Sequence, residues 1–170
     1  MKNLYLIGGT MGIGKTAVCQ RLKKKLDCAV FLDGDWCWDS DPFIVNKETK
    51  KMVMDHICFL LNSFLSCSVY ENVIFCWVMH EQSIIDTIVN RLDLMDVSLH
   101  CISLIADEKT VVEHLRSDVD LGIREKDVIK RSLERLGLYR SLTTEKIDVS
   151  GLTIDQTVEK IIHLKEEENR

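Results

Sequence analysis

The residues with the clearest chemistry lie near the start of the chain. Gly9-Thr10-Met11-Gly12-Ile13-Gly14-Lys15-Thr16 has the spacing G-x-x-x-x-G-K-[ST], with an apolar run before it and an amphipathic run after it. Glycines at such spacing let successive backbone N–H groups turn inward without Cβ clashes, which makes a concave nest for an anion. A helix starting near Lys15 adds the positive end of its dipole. The expected ligand is the phosphate chain of a nucleotide, lined by Gly9, Met11, Gly12, Ile13, Gly14, Lys15, Thr16 and Ala17. Lys15 would reach the β- and γ-phosphates, and the Thr16 hydroxyl would ligate Mg²⁺. The strand before the loop and the helix after it argue against a chance glycine-rich turn.

A carboxylate pair comes next, in Leu32-Asp33-Gly34-Asp35, where an apolar run ends. Two carboxylates spaced i, i+2 at the carboxyl end of a parallel strand lie on the edge where ligands bind. They can divide the labour: Asp33 holds Mg²⁺ through water, and Asp35, farther out, accepts the proton of an attacking hydroxyl. A polar turn capped by acidic residues is the plainer alternative. The third apolar run ends Trp77-Val78-Met79-His80-Glu81, with no aspartate where many phosphate-loop proteins place one. Asp33 or Glu81 must then complete the metal shell, and Glu81 rivals Asp35 as the base. Alternatively, His80 and Glu81 only begin the next helix. Trp36, Trp38, Pro42 and Phe43 cluster beyond the carboxylate pair, where an acceptor would sit. They suit a flat or apolar acceptor, although the same rings could simply cover the edge of the core.

These groups need a frame, and the apolar pattern supplies one. Strands are expected over Leu4–Ile7, Ala29–Leu32, Val73–Val78, Val97–Ile105 and Ile147–Val149. Between them run helical patterns: Ala17–Leu26; Lys47–Cys67 after an Asn46 cap; Ile84 to Leu92; a helix capped by Asp107; one bearing Val128 to Leu136; and a last one opened by the capping pair Thr153 and Gln156. Lys47–Cys67 is so apolar that much of its circumference should be covered, and it hints at a dimer contact. Strands alternating with helices imply βαβ units and a parallel sheet covered on both faces. No linker or repeat divides residues 1–170, and the charged stretch 165–170 should fray.

Composition narrows the function classes. The 170 residues carry 22 basic and 27 acidic side chains, a net charge of −5, which lacks the footprint of a nucleic-acid binder. Lys23-Lys24-Lys25 ends a predicted helix, where it complements the helix dipole. The seven cysteines are odd in number, none is spaced CxxC, and most sit in apolar runs. Free thiols in a reducing compartment fit better than disulfides or zinc. With no leader pattern and no apolar stretch near about 18 residues, the expectation is a cytoplasmic protein without a membrane span.

The N-terminal phosphate loop with Asp-x-Asp after the second strand resembles the small P-loop kinases. These include shikimate kinase, gluconate kinase, adenylylsulfate kinase, chloramphenicol phosphotransferase and the tunicamycin-resistance ATP-binding proteins. The resemblance implies a P-loop NTPase α/β fold, a three-layer αβα sandwich on a five-stranded parallel sheet, with ATP and Mg²⁺ as cofactors. In the family the first Asp of the pair is associated with metal and the second with the acceptor hydroxyl. Arg116, the segment 117–123, Arg124 and Arg131 resemble the lid of nucleoside monophosphate kinases, whose arginines close over the transferring phosphoryl group; the lid would span about 116–125. In these kinases the loop corresponding to Asp148-Val149-Ser150-Gly151-Leu152 borders the adenine, so Gly151 is a candidate nucleotide contact. The implied activity is ATP-dependent phosphoryl transfer to a small molecule: a nucleoside, a nucleotide or an aromatic natural product. An antibiotic-type phosphotransferase and a non-catalytic ATP-dependent sequestering protein remain alternatives, in a monomer or homodimer.

Overall fold

The structure is a computed structural model that describes residues 1–122 and 127–168. Its centre is β1 (Lys2–Gly8), whose residues from Leu4 onward are all buried. Successive side chains alternate between the two faces of the sheet. Leu4 and Leu6 join Val53, Ile57, Leu61, Val73 and Phe75 in one apolar cluster. Tyr5 and Ile7 join Val18, Leu22, Ile74, Ile102 and Ile161 in the other. A strand buried on both faces reads as an unbroken apolar run, which is why alternation is missing from its sequence. Each fully buried Leu or Ile contributes about 1.5–3 kcal/mol.

The other strands are β2 (Ala29–Asp33), β3 (Asn72–Cys76), β4 (Val97–Ile105) and β5 (Glu145–Asp148). They lie in the order β2-β3-β1-β4-β5, and all four pairings are parallel. Ile7 pairs with Cys76 on one side and Ile102 on the other, and Asp33 pairs with Cys76. The register therefore brings Gly8, Asp33 and Cys76 to one edge. Helices α1 (Lys15–Lys25) and α6 (Ile154–Glu168) pack on one face with α4 (Glu108–Asp120) and α5 (Asp127–Leu136). Helices α2 (Lys47–Ser66) and α3 (Gln82–Val89) cover the opposite face. This is the expected three-layer α/β architecture on a five-stranded parallel sheet.

The caps expected from sequence are present. Asn46 and Thr49 exchange side-chain and backbone hydrogen bonds of 2.9 Å at the start of α2. Asp107 Oδ1 accepts the Thr110 N–H at 2.7 Å, and Thr153 and Gln156 form the box before α6. Two ion pairs, Arg21–Asp155 and Lys25–Glu159, link α1 to α6, and such exposed pairs contribute about 0–1 kcal/mol.

The clearest differences from expectation are two strand ends and one burial pattern. The third strand stops at Cys76 rather than Val78; the Trp77 N–H still donates to the Ile7 carbonyl at 3.3 Å, but its ring lies over Gly34 in the neighbouring turn. Apolar residues that cover a loop are indistinguishable by pattern from ones that extend a strand. The last strand is Glu145–Asp148, shifted toward the amino end. Helix α2 buries one face only: Val53, Ile57, Cys58, Leu61 and Leu65 are inside, while Phe59 is 71% exposed and Met52 38%. Its apolar circumference is thus covered less than its composition suggests. All seven cysteines are free; Cys19, Cys58 and Cys76 are buried, and Cys28 is exposed. No helix among the described residues is long and apolar enough to cross a membrane.

Candidate active site

A cleft of about 340 Å³ opens at the carboxyl edge of the sheet, lined by Met11, Gly12, Gly14 to Ala17, Asp33, Asp35, Val78 and His114. The loop between β1 and α1 forms its floor. Gly12 adopts φ 77° and Gly14, the residue before α1, φ 93°. Gly12 is required twice over: its φ is left-handed, and a Cβ there would stand 2.5 Å from Leu115 Cγ. Lys15 Nζ lies back across the loop, donating to the carbonyls of Gly9 at 2.9 Å and Thr10 at 3.0 Å. Burial lowers the pKa of its amine from 10.5, opposed by Cys76, Asp35 and Asp33. Ile13 is buried against the core, and its backbone continues the loop toward α1.

The carboxyl end of β2 reaches this floor. Thr16 Oγ1 donates to Asp33 Oδ2 at 2.7 Å. Asp33 is 5% exposed, and its other oxygen accepts the Asp35 N–H at 3.1 Å, capping the 3₁₀ turn Gly34–Cys37. The Cys76 thiol faces Asp33 Oδ2 at 3.5 Å. Here lies the physical account of the missing aspartate on the third strand. Cys76 ends β3, and the carboxylate beside Thr16 comes from the paired residue of the adjacent strand, Asp33. Buried Asp33 and exposed Asp35 have distinct surroundings two residues apart, as the division of labour needs. Both line the cleft.

Thr16 and Asp33 are hard oxygen donors in contact with each other, which suits Mg²⁺, an ion that keeps several waters and binds phosphate oxygens besides one or two protein ligands. No cluster of three or more His, Cys, Asp or Glu that could hold a metal occurs among the described residues.

The remaining candidates are spread around the cleft. Trp36 is 57% exposed and meets Phe31 edge-on at 5.2 Å. Trp38 packs against Phe43 with centroids 4.6 Å apart, and neither tryptophan lines the cleft. Gly34 has no side chain because Trp77 lies on it: a Cβ there would stand 2.5 Å from the indole Cγ. Glu81 is exposed at the start of α3, 3.5 Å from His80 Nε2, and it does not line the cleft. Gly151 has φ 69° in the loop before α6, where Ser150 Oγ accepts the Asp107 N–H at 2.8 Å. That loop is therefore docked on the start of α4, and Gly151 also stands outside the cleft lining. Arg131 is held by Asp127 of its own helix at 3.0 Å, and Arg116 is exposed. Arg124 lies outside the described residues.

Two contributors were not legible in the sequence. Ser132 is fully buried; its hydroxyl reaches the Thr10 hydroxyl and donates to the Met11 carbonyl, each at 2.7 Å. Its signal was a serine interrupting the row Val128, Ser132, Leu136 of α5, which is otherwise apolar. His114 sits 3.0 Å from the Gly12 carbonyl, and nothing in its spacing announced this. Burial first, then Arg135 and more weakly Lys50, push the His80 imidazole below its ordinary value, while Glu81 pulls the other way. Arg135 stands one turn beyond Arg131, in the same amphipathic helix.

Comparison with solved structures returns many matches of the same architecture. A gluconokinase from Sinorhizobium meliloti 1021 superposes with a TM-score of 0.69 at 18% identity, over 94% of this chain and 89% of that one. The Deinococcus radiodurans tunicamycin resistance protein gives 0.69 at 19% identity, over 96% and 95%. A shikimate kinase from Acinetobacter baumannii, in complex with shikimate, gives 0.64 at 19%, over 99% and 94%. At these identities the likeness is one of fold. Comparison with curated protein sequences gives no match. A family model described as an AAA domain matches residues 6–135, which span the phosphate loop, the carboxylate pair and helices α4 and α5. The chain thus belongs to the AAA domain family and has the fold of the small P-loop kinases.

Proposed function

We propose that the protein transfers the γ-phosphoryl group of ATP to a small-molecule acceptor. The observation that carries this reading is the 2.7 Å contact between Thr16 and Asp33, which joins the phosphate loop to a carboxylate, with Asp35 beside it on the open side. Phosphoryl transfer asks the protein mainly for positioning and for stabilisation of charge on the phosphate oxygens. The loop amides and Lys15 bind the phosphate chain; Lys15 turns from the Gly9 and Thr10 carbonyls to the phosphates. Thr16 and Asp33 would hold Mg²⁺, which neutralises the developing charge. Asp35 orients the acceptor hydroxyl and takes its proton. Arg124 and Arg131, by resemblance to a kinase lid, would add positive charge over the transferring phosphoryl group.

The acceptor reading follows the same groups. Trp36, Trp38 and Phe43 favour a nucleoside, a nucleotide or an aromatic natural product. We place the enzyme in the cytoplasm. The test is ATP consumption with Mg²⁺ against a panel of nucleosides, nucleotides, sugars and antibiotics, with Asp35→Asn as control. Acceptor-dependent turnover that disappears in the variant supports the kinase. Nucleotide binding with no acceptor-dependent turnover in either protein would point to a sequestering protein instead.

A further inference from the structure

We infer that His114 is a positioning residue for the phosphate loop, holding the Gly12 carbonyl turned away from the bound phosphates; this rests on the nucleotide-binding reading above. An anion nest works only if its N–H groups converge and its carbonyls point elsewhere. Four consecutive carbonyls of this loop are each held by a side chain. Lys15 takes those of Gly9 and Thr10, Ser132 takes that of Met11, and His114 takes that of Gly12 at 3.0 Å. Lys15 cannot serve both the loop and the phosphates. Once its amine turns to the ligand, Ser132 and His114 are the side chains left holding the loop.

Between those two, His114 acts where the backbone is most demanding. Gly12 is at φ 77°, and Leu115, next to His114, packs against its Cα. A carbonyl only accepts, so Nδ1 must carry the hydrogen, and this fixes the neutral tautomer. Helices α4 and α5 thus each hold one carbonyl of the loop, and they flank the segment where the lid is expected. His114 is exposed, so replacing it leaves the core intact.

The experiment is titration of a fluorescent ATP analogue, with Mg²⁺, into the wild type and into His114→Ala, His114→Asn and His114→Gln, with melting of each as a fold control. An asparagine amide nitrogen sits where Nδ1 does, whereas a glutamine amide reaches toward the Nε2 position. Loss of one net hydrogen bond predicts Kd about five- to tenfold weaker for His114→Ala and His114→Gln, with most of the affinity restored in His114→Asn. Where turnover is measurable, KM for ATP should rise with kcat little changed, the mark of an interaction equal in ground and transition states. Equal affinity in all four proteins, or loss in His114→Asn as severe as in His114→Ala, overturns the inference while leaving nucleotide binding standing. A wild type that binds no nucleotide sinks both.

Discussion

Gly12→Ala isolates the tightest contact in the site. The new Cβ would meet Leu115 Cγ at 2.5 Å and Cδ2 at 2.6 Å, distances at which something must shift. Leu115 is fully buried, so it has little room to withdraw. Two terms follow. Holding an L-residue at φ 77° costs about 1–2 kcal/mol. Overpacking a filled core costs about 1–3 kcal/mol. The sum, about 2–5 kcal/mol, is a large fraction of the roughly 5–15 kcal/mol typical of a domain, yet leaves a folded majority. Leu115→Ala alone should cost about 2–5 kcal/mol through its cavity. In the double variant the clash is gone while the φ strain and the Leu115 cavity persist, so the pair should be less destabilised than the sum of the singles by about 1–3 kcal/mol. Urea denaturation followed by tryptophan fluorescence reads this directly, since Trp36, Trp38 and Trp77 all lie close to the carboxyl edge of the sheet. A Gly12→Ala variant as stable as the wild type, or singles that add within about 0.5 kcal/mol, would refute the account of the loop's packing.

Other perturbations separate the roles. Lys15→Ala should lose nucleotide affinity and turnover while keeping its melting temperature within a few degrees, checked by calorimetry and activity in parallel; full activity in that variant would collapse the scheme. Asp35→Asn should bind the ATP analogue about as well as the wild type but lose acceptor-dependent turnover by about 10²- to 10⁴-fold, the usual contribution of a general base. His80 is held neutral by burial and by Arg135, so its folded pKa lies below the unfolded value of about 6.5. The unfolded chain then binds the proton first, and stability should be full above that value and decline as pH falls through it toward the folded pKa. The urea midpoint should drop more between pH 7.5 and 5.5 in the wild type than in His80→Gln. With iodoacetamide, Cys28 should react well before the buried Cys19, whose thiol is pushed up by burial, as peptide mapping by mass would show.

What could be read from the sequence was whatever has a local cause. The phosphate loop depends on glycines at fixed spacing, and the caps at Asn46, Asp107 and Thr153 depend on residues three apart. Asp33 and Asp35 were legible because they end an apolar run. What stayed hidden depends on long-range register. That Cys76 ends the third strand directly opposite Asp33, where a third-strand carboxylate is missing, follows from β2 pairing with β3. His114 and Ser132 reach the loop from 102 and 121 residues away in the chain, and no periodicity encodes such a distance. Arg131 had a helical position that suited a lid, but its carboxylate partner sits one turn earlier on α5. Trp77 read as the continuation of a strand because a ring covering Gly34 has the same hydrophobic signature as one inside a sheet.

The proposed reaction moves phosphorus from ATP to an acceptor held near Asp35. Phosphorus NMR of the protein with Mg²⁺, ATP and the acceptor panel tests it most directly. The expected result is loss of the γ resonance and growth of one new phosphoester or phosphoanhydride signal tied to one acceptor class, absent with Lys15→Ala and Asp35→Asn. ATP that stays intact, or that yields inorganic phosphate at the same rate whichever acceptor is present, would contradict it.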